Sequence, residues 1–268
     1  MQISFTYALA ILLGCLAPLS SALAQYETTR RTDSEGAGAN KEGRLEIKRQ
    51  NTAHGTPDET TMTTLRVERY FDGPVAMFRF DLPLPDQKTD FGGDPLNPHL
   101  GDVKARLRFK AFKSGDLSFP SFVQATFPTA DPKSLGKGKY QLSAGIRMVD
   151  PVRLSFLDAS SHRSTFEMEV QQTNSVAGDP NVKDVRNTRF EFTFFDAWQQ
   201  IWTFKVKVKP NVDWAQNGKT GGVAEAEAGR YFGQDWRAWL MLGHRAWGPS
   251  GIANTYQTRM ELGLQYTY

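Results

Sequence analysis

The chain has 268 residues, one cysteine and a formal net charge of +3. So small a basic surplus argues against a nucleic-acid binder, which concentrates positive charge on one face. The cysteine, Cys15, lies in a segment expected to be removed on export, which leaves the mature chain without disulfides or Cys-ligated metals.

Residues 1–24 read as a signal peptide. An apolar run from Tyr7 to Leu19 leads to Ala22-Leu23-Ala24, the small residues a signal peptidase needs before Gln25, although the start of the chain has no Lys or Arg. The run is shorter than the roughly 20 residues of a membrane-spanning helix. Leu12-Leu13-Gly14-Cys15 loosely resembles a lipobox, but apolar sequence continues past it to the better cleavage site, so a lipoprotein is the minor alternative. Residues 25–43 are polar, rich in glycine and charge, and read as a lead-in. Residues 44–268 form the main domain.

From there the dominant signal is alternation with period two, which is the signature of half-buried strands. In 61–71, Thr63, Leu65 and Val67 oppose Arg66 and Glu68; in 75–84, Ala76, Phe78, Phe80, Leu82 and Leu84 oppose Arg79 and Asp81. The clearest case is 103–112, where Val103, Ala105, Leu107, Phe109 and Ala111 alternate with Lys104, Arg106, Arg108 and Lys110. The pattern recurs in 117–127 and 139–148, then around Phe166–Val170, Phe190–Phe194, Trp202–Lys209, Ala224–Ala228 and Trp236–Leu242, where Trp239 and Met241 interrupt the polar face. The chain ends on a strand with Tyr256, Thr258, Met260, Leu262, Leu264, Tyr266 and Tyr268 on one face. No segment carries a convincing 3.6-residue repeat.

A soluble β-sandwich would also alternate. Here, however, the polar faces are heavily charged and the apolar faces are moderate. Turns expected at 72–74, 113–116, 149–151, 196–200 and 232–235 interleave with loops at 51–60, 85–102, 129–138, 173–187, 210–221 and 247–255. Short periplasmic turns and longer extracellular loops mark outer-membrane barrels. The sequence therefore predicts an all-β, transmembrane antiparallel β-barrel of about twelve strands over 44–268, with ten or fourteen as alternatives. The stretch 152–172 counts as one strand only if polar Asp158–Ser164 belongs to it; its lower half is otherwise a periplasmic excursion. Aromatics gather at the expected turn end: Tyr70, Phe71, Phe194, Phe195, Trp198, Trp202, Phe232, Trp236, Tyr266 and Tyr268, an expected interfacial girdle. The terminal aromatic strand resembles the C-terminal signal read by the barrel assembly machinery. Outer-membrane lipid and that machinery are the expected partners, with no nucleic acid among them.

One region carries a family resemblance. Gly101-Asp102-Val103-Lys104-Ala105-Arg106-Leu107-Arg108-Phe109, then Phe127-Pro128-Thr129-Ala130-Asp131, then Leu135-Gly136-Lys137-Gly138, resembles the outer-membrane family named for the meta-pathway of phenol degradation, often called transporters. Ala130 stands where the family commonly has glycine. The resemblance implies a barrel in the outer membrane that passes small molecules, including aromatic ones, and it assigns no catalytic residue.

With apolar faces toward lipid, charged faces line the lumen. The candidates are Lys104, Arg106, Arg108 and Lys110 on the fourth strand, Glu167 and Glu169 on the seventh, Lys205, Lys207 and Lys209 on the ninth, Glu225 and Glu227 on the tenth, and Arg259 and Glu261 on the last. The ninth-strand lysines are expected to pair with Glu225 and Glu227 next door, whereas the fourth-strand ladder is harder to neutralise. A channel for small molecules competes with a closed structural or surface-interaction barrel whose charges pair across a narrow lumen. A barrel hydrolase using loop residues His54 or His99 is the weakest reading, because no metal-ligand or triad spacing accompanies them. Neither cofactor nor metal is expected.

Overall fold

The structure is a computed structural model that describes residues 42–53, 59–86, 99–152 and 162–268. Its strands are β1 (Gly43–Thr52), β2 (Thr60–Tyr70), β3 (Val75–Pro85), β4 (Lys104–Phe109), β5 (Phe112–Ser114), β6 (Leu117–Phe119), β7 (Ser121–Thr126), β8 (Lys139–Val152), β9 (His162–Gly178), β10 (Arg186–Trp198), β11 (Trp202–Asp213), β12 (Lys219–Phe232), β13 (Trp236–Trp247) and β14 (Thr258–Thr267). Every pairing is antiparallel. β4 and β5 are parts of one interrupted strand, and β6 and β7 of the next, so the wall is a closed barrel of twelve strands. It closes where β14 meets β1, from Arg44 opposite Thr267 to Thr52 opposite Arg259. The backbone N–H groups of Glu42 and Gly43 donate to the Tyr268 carbonyl at 2.7 and 3.1 Å. No open edge remains there, as a sheet surrounded by lipid requires.

The side chains are distributed inside out. Leu45, Ile47, Leu65, Val67, Ile146, Val206, Leu262 and Leu264 are exposed, while Glu46, Glu68, Asp81, Glu169, Glu225 and Arg237 are buried. A soluble sheet would hide the first group and show the second; a lipid-facing wall reverses the preference. Trp198, Phe232 and Trp236 are exposed at the short-turn end, and Trp236 packs on Tyr266 with ring centroids 4.8 Å apart. Two residues expected in that girdle are not in it. Phe195 is buried against the inner wall with Lys205 over its ring, and Tyr70 points inward to donate to Glu68. Both follow the inward parity of their strands, which aromatic content alone conceals. The opposite end has exposed rings as well, at Trp214, Trp247 and the Phe127–Tyr140 pair.

Several boundaries differ from the expected ones. The turn expected at 149–151 is absent, because β8 continues to Val152 and Met148, Val149 and Asp150 stay in register with Met168, Glu167 and Phe166. The connection covers 153–161, so Leu154 and Phe156, like residues 1–41, His54 and most of the loop 85–102, lie outside the described residues. At the other end the loops expected at 173–187 and 210–221 are largely strand. Beyond the apolar band nothing requires hydrophobic outer residues, so the ladder continues while the hydropathy pattern stops. Thr188 donates to Gln172 at 2.5 Å and Gln172 to Asn174 at 3.1 Å on that outer surface. The fourth and fifth strands are broken rather than continuous. Pro120 lacks the N–H a ladder needs, and Lys110 falls in the gap between β4 and β5, exposed, its N–H donating to the Pro74 carbonyl.

Two inner-face glycines admit rings that the wall could not otherwise hold. A Cβ added at Gly263 would overlap the Trp239 indole, and one at Gly243 the Tyr256 ring. Trp239 and Met241, which break the alternation of β13, are thus buried inward. Gly263→Ala is expected to cost about 1–3 kcal/mol by forcing the indole off its seat. The melting temperature read from heat-modifiable gel migration measures this, and an unchanged temperature would show that Trp239 moves freely.

Candidate functional site

The inner wall is mostly a mesh of ion pairs between adjacent strands. On β1–β3, Arg66 joins Glu46 at 3.0 Å and Asp81 at 2.6 Å, Arg79 joins Asp81 at 3.2 Å, and Arg44 joins Glu68 at 2.9 Å. On β8–β10, Arg147 holds Glu167 at 3.0 Å and Glu169 at 2.6 Å, and Arg189 reaches Glu169 at 3.0 Å. On β11–β13, Lys205 and Arg237 share Glu227 at 3.2 and 2.7 Å, and Lys209 takes Glu225 at 2.6 Å. Lys207 faces Glu225 across the ladder but leans the other way, 3.5 Å from Glu191. Lys48 closes the ring to Glu261 at 3.6 Å.

Against this mesh one stretch stands out. Lys104, Arg106 and Arg108 on β4 make no ion pair among the described residues. Lys104 is exposed on the inner face. Arg106 donates from Nε to Gln124 at 3.0 Å and lies 4.0 Å above the Phe122 ring. Lys104 stands opposite Asp81, which Arg66 and Arg79 already hold. Register sets Arg106 between Arg79 on β3 and Gln124 on β7, so neither neighbour offers it a carboxylate.

At the long-loop end, residues 248–257 pack against the β10–β12 side of the wall, with Ile252 and Tyr256 turned inward. Ile252 is 2% exposed and Tyr256 8%. Asn211 donates to the Ala253 carbonyl at 2.6 Å, Asn254 to Asn187 at 3.1 Å, and Gln216 to the Gly251 carbonyl at 2.7 Å. The Tyr256 hydroxyl donates to Glu225, and Arg259 lies 4.3 Å over its ring. The sequence places Tyr256 on the outer face with Thr258, but β14 begins only at Thr258, and the free loop before it turns the ring into the lumen.

Solved structures share this architecture. The COG4313 outer membrane channel from Pseudomonas putida F1 matches with a TM-score of 0.58 at 11% identity, over 90% of this chain and all 100% of that one. The KdgM porin matches at 0.54 and 7% identity, over 84% of this chain and 99% of that one. The fold is that of outer-membrane channels and porins. A NanC porin matches at 0.53 and 9% identity, over 84% and 98% of the two chains. No family model and no curated protein matches the sequence. The likeness reaches the channel fold and not the phenol-degradation naming.

The motif residues have an architectural task within this barrel. The Asp102 carboxylate accepts from the Lys137 N–H at 2.5 Å and from the Ala130 N–H at 3.3 Å. Thr129 donates to the Gly101 carbonyl at 2.8 Å and accepts from the Val103 N–H at 3.0 Å. Three separated segments are therefore tied at one corner of the rim. Asp102 is occupied with backbone, and no cluster of metal-ligating groups occurs near His99 or elsewhere among the described residues. Ser164 donates to Asp196 at 2.7 Å and His162 contacts the same carboxylate at 2.9 Å, so the serine faces the acid and not the imidazole, unlike a nucleophile–base pair.

Arg66, Arg147, Arg189 and Glu191 are wall charges outside the sequence's lumen candidates, although alternation puts Arg66 and Glu191 on polar faces. Arg147 is the plainest omission. Between Gln141 and Val149 it is the one charge on the inner β8 face, among Gln141, Ser143 and Gly145, so no ladder announces it. Its signal is parity: Arg147 alternates with Ile146 and Met148.

Proposed function

We propose that this chain is an outer-membrane channel that passes small solutes through the lumen and favours anions along β4. The observation that carries the reading is the Lys104–Arg106–Arg108 ladder, which makes no ion pair among the described residues on a wall where most other charges are paired. Unpaired cations facing water create a local potential that concentrates anions. Supporting it, the matched folds are those of a channel and two porins. Export by residues 1–24, assembly through β14, and an orientation with short turns toward the periplasm belong to the same reading. For aromatic solutes the support is the resemblance of the 101–138 motifs.

Purified protein in planar bilayers should give discrete conductance. Replacing Lys104, Arg106 and Arg108 by Ala should shift the reversal potential in a salt gradient toward cation preference. Absence of both conductance and solute uptake into liposomes would refute the channel.

The inward fold of residues 248–257 favours a second reading, a barrel closed at its mouth that serves as structure or as a binding surface. It predicts no conductance until that loop is loosened.

A further inference from the structure

Within the lumen lies a cavity of about 90 Å³, bordered by β1–β4, β7–β9 and Pro120. That is room for several water molecules or for a small oxyanion such as acetate or phosphate. Its border carries two carboxylates, Glu68 and Glu169, and both are already engaged. Glu68 takes Arg44 at 2.9 Å and the Tyr70 hydroxyl at 3.0 Å. Glu169 takes Arg147 at 2.6 Å and Arg189 at 3.0 Å.

Three further guanidiniums line the same space: Arg79, Arg106 and Arg108. Arg79 and Arg106 are directly opposed across the β3–β4 ladder, a like-charge placement that costs free energy. The acceptor between them is neutral, a single Gln124 amide oxygen, 3.0 Å from Arg106 Nε and 3.4 Å from Arg79 Nη2. Arg79 also reaches Asp81, whereas Arg106 and Arg108 have no carboxylate within ion-pair distance among the described residues. The Arg108 side chain makes no hydrogen bond among the described residues either. Phe122 lies under the Arg106 guanidinium, 4.0 Å from ring centroid to Cζ, and holds it in place, so part of the ordering cost of binding is already met.

We propose that Arg106 and Arg108, with Arg79 beside them, form a binding site for a small oxyanion, a carboxylate or a phosphate, in this cavity. The anion accepts charge-assisted hydrogen bonds from the two unpaired guanidiniums and relieves their repulsion with Arg79. Met77, Pro120 and Phe122 supply apolar wall for the body of an organic carboxylate. The site deepens the channel reading and rests on it, since a conducting lumen is what delivers solute to it.

Titration calorimetry on the purified full chain in detergent, with sodium phosphate and sodium acetate separately against a constant chloride background, tests the site. Saturable binding of at least one of them is expected, and which one binds separates the phosphate from the carboxylate. The R106Q/R108Q variant should lose that binding. R106K, which keeps the charge without the planar fork, should weaken it roughly tenfold. Thermal melting keeps the test sound if the double variant folds differently. Without added oxyanion R106Q/R108Q should melt no lower than the native protein, and phosphate or acetate should raise the midpoint of the native protein alone. No saturable binding, or equal binding by R106Q/R108Q, overturns the site. If binding fails while planar bilayers still show conductance, the site falls and the channel stands. If binding persists without conductance, the channel falls and the site stands.

Discussion

A Tyr256→Phe, Asn211→Ala double variant should show more frequent and longer open events in planar bilayers than the native protein. The loop 248–257 is tied to the wall by a few identifiable bonds, and these two residues make two of them. Tyr256 donates its hydroxyl to Glu225 on β12, and Asn211 on β11 donates to the Ala253 carbonyl at 2.6 Å. Each hydrogen bond of this kind contributes about 1 kcal/mol net, so losing both should favour the outward arrangement by roughly 2 kcal/mol, about thirtyfold in population. Tyr256→Phe keeps the ring seated over Gly243, so the packing of β13 against the loop survives. The closed-barrel reading predicts conductance appearing in the variant alone; the channel reading predicts an increase from a native baseline. Identical traces in both proteins would show that the loop does not gate the lumen.

The barrel was legible because its signal is redundant. Each strand within the apolar band repeats one alternation, and an error in one is corrected by its neighbours. The errors fall where lipid no longer selects the residues. Asn174 and Arg186 are strand residues with polar outer side chains, so they read as loop. Val152 to Leu154 reads as the start of a new strand because alternation does not show where a β-ladder ends. Inner charges were legible where they came as ladders, in β4, β11 and β12, and hidden where a single Arg147 served two acids on the next strand. The sequence already marks the β4 ladder as harder to neutralise, and register adds which residues flank it. Sequence shows that Lys104, Arg106 and Arg108 are basic, but only the ladder shows Arg79 and Gln124 as what stands on either side of Arg106. The inward turn of Tyr256 had no sequence signal, because it depends on three walls meeting one loop.

Arg147→Met should destabilise the barrel by about 3 kcal/mol, the loss expected when one partner of a buried ion pair is removed and the other keeps its charge. Arg147 binds Glu167 at 3.0 Å and Glu169 at 2.6 Å, and their side chains are only 10% and 3% exposed. Glu169 retains Arg189 after the change. Glu167 does not, since Arg147 is its ion-pair partner among the described residues, so most of the cost belongs to it. Adding Glu167→Gln to Arg147→Met should therefore recover much of the loss, and the coupling in this double-mutant cycle measures the pair directly. Urea unfolding in lipid vesicles, followed by tryptophan fluorescence, gives both numbers. Their size also reports on the lumen. A loss under about 1 kcal/mol is what water-screened pairs give, and would mean that water fills the barrel at this level. A loss near 3 kcal/mol means that Arg147 and its acids are shielded from bulk water, so that solute crossing this level must pass along the unpaired guanidiniums of β4.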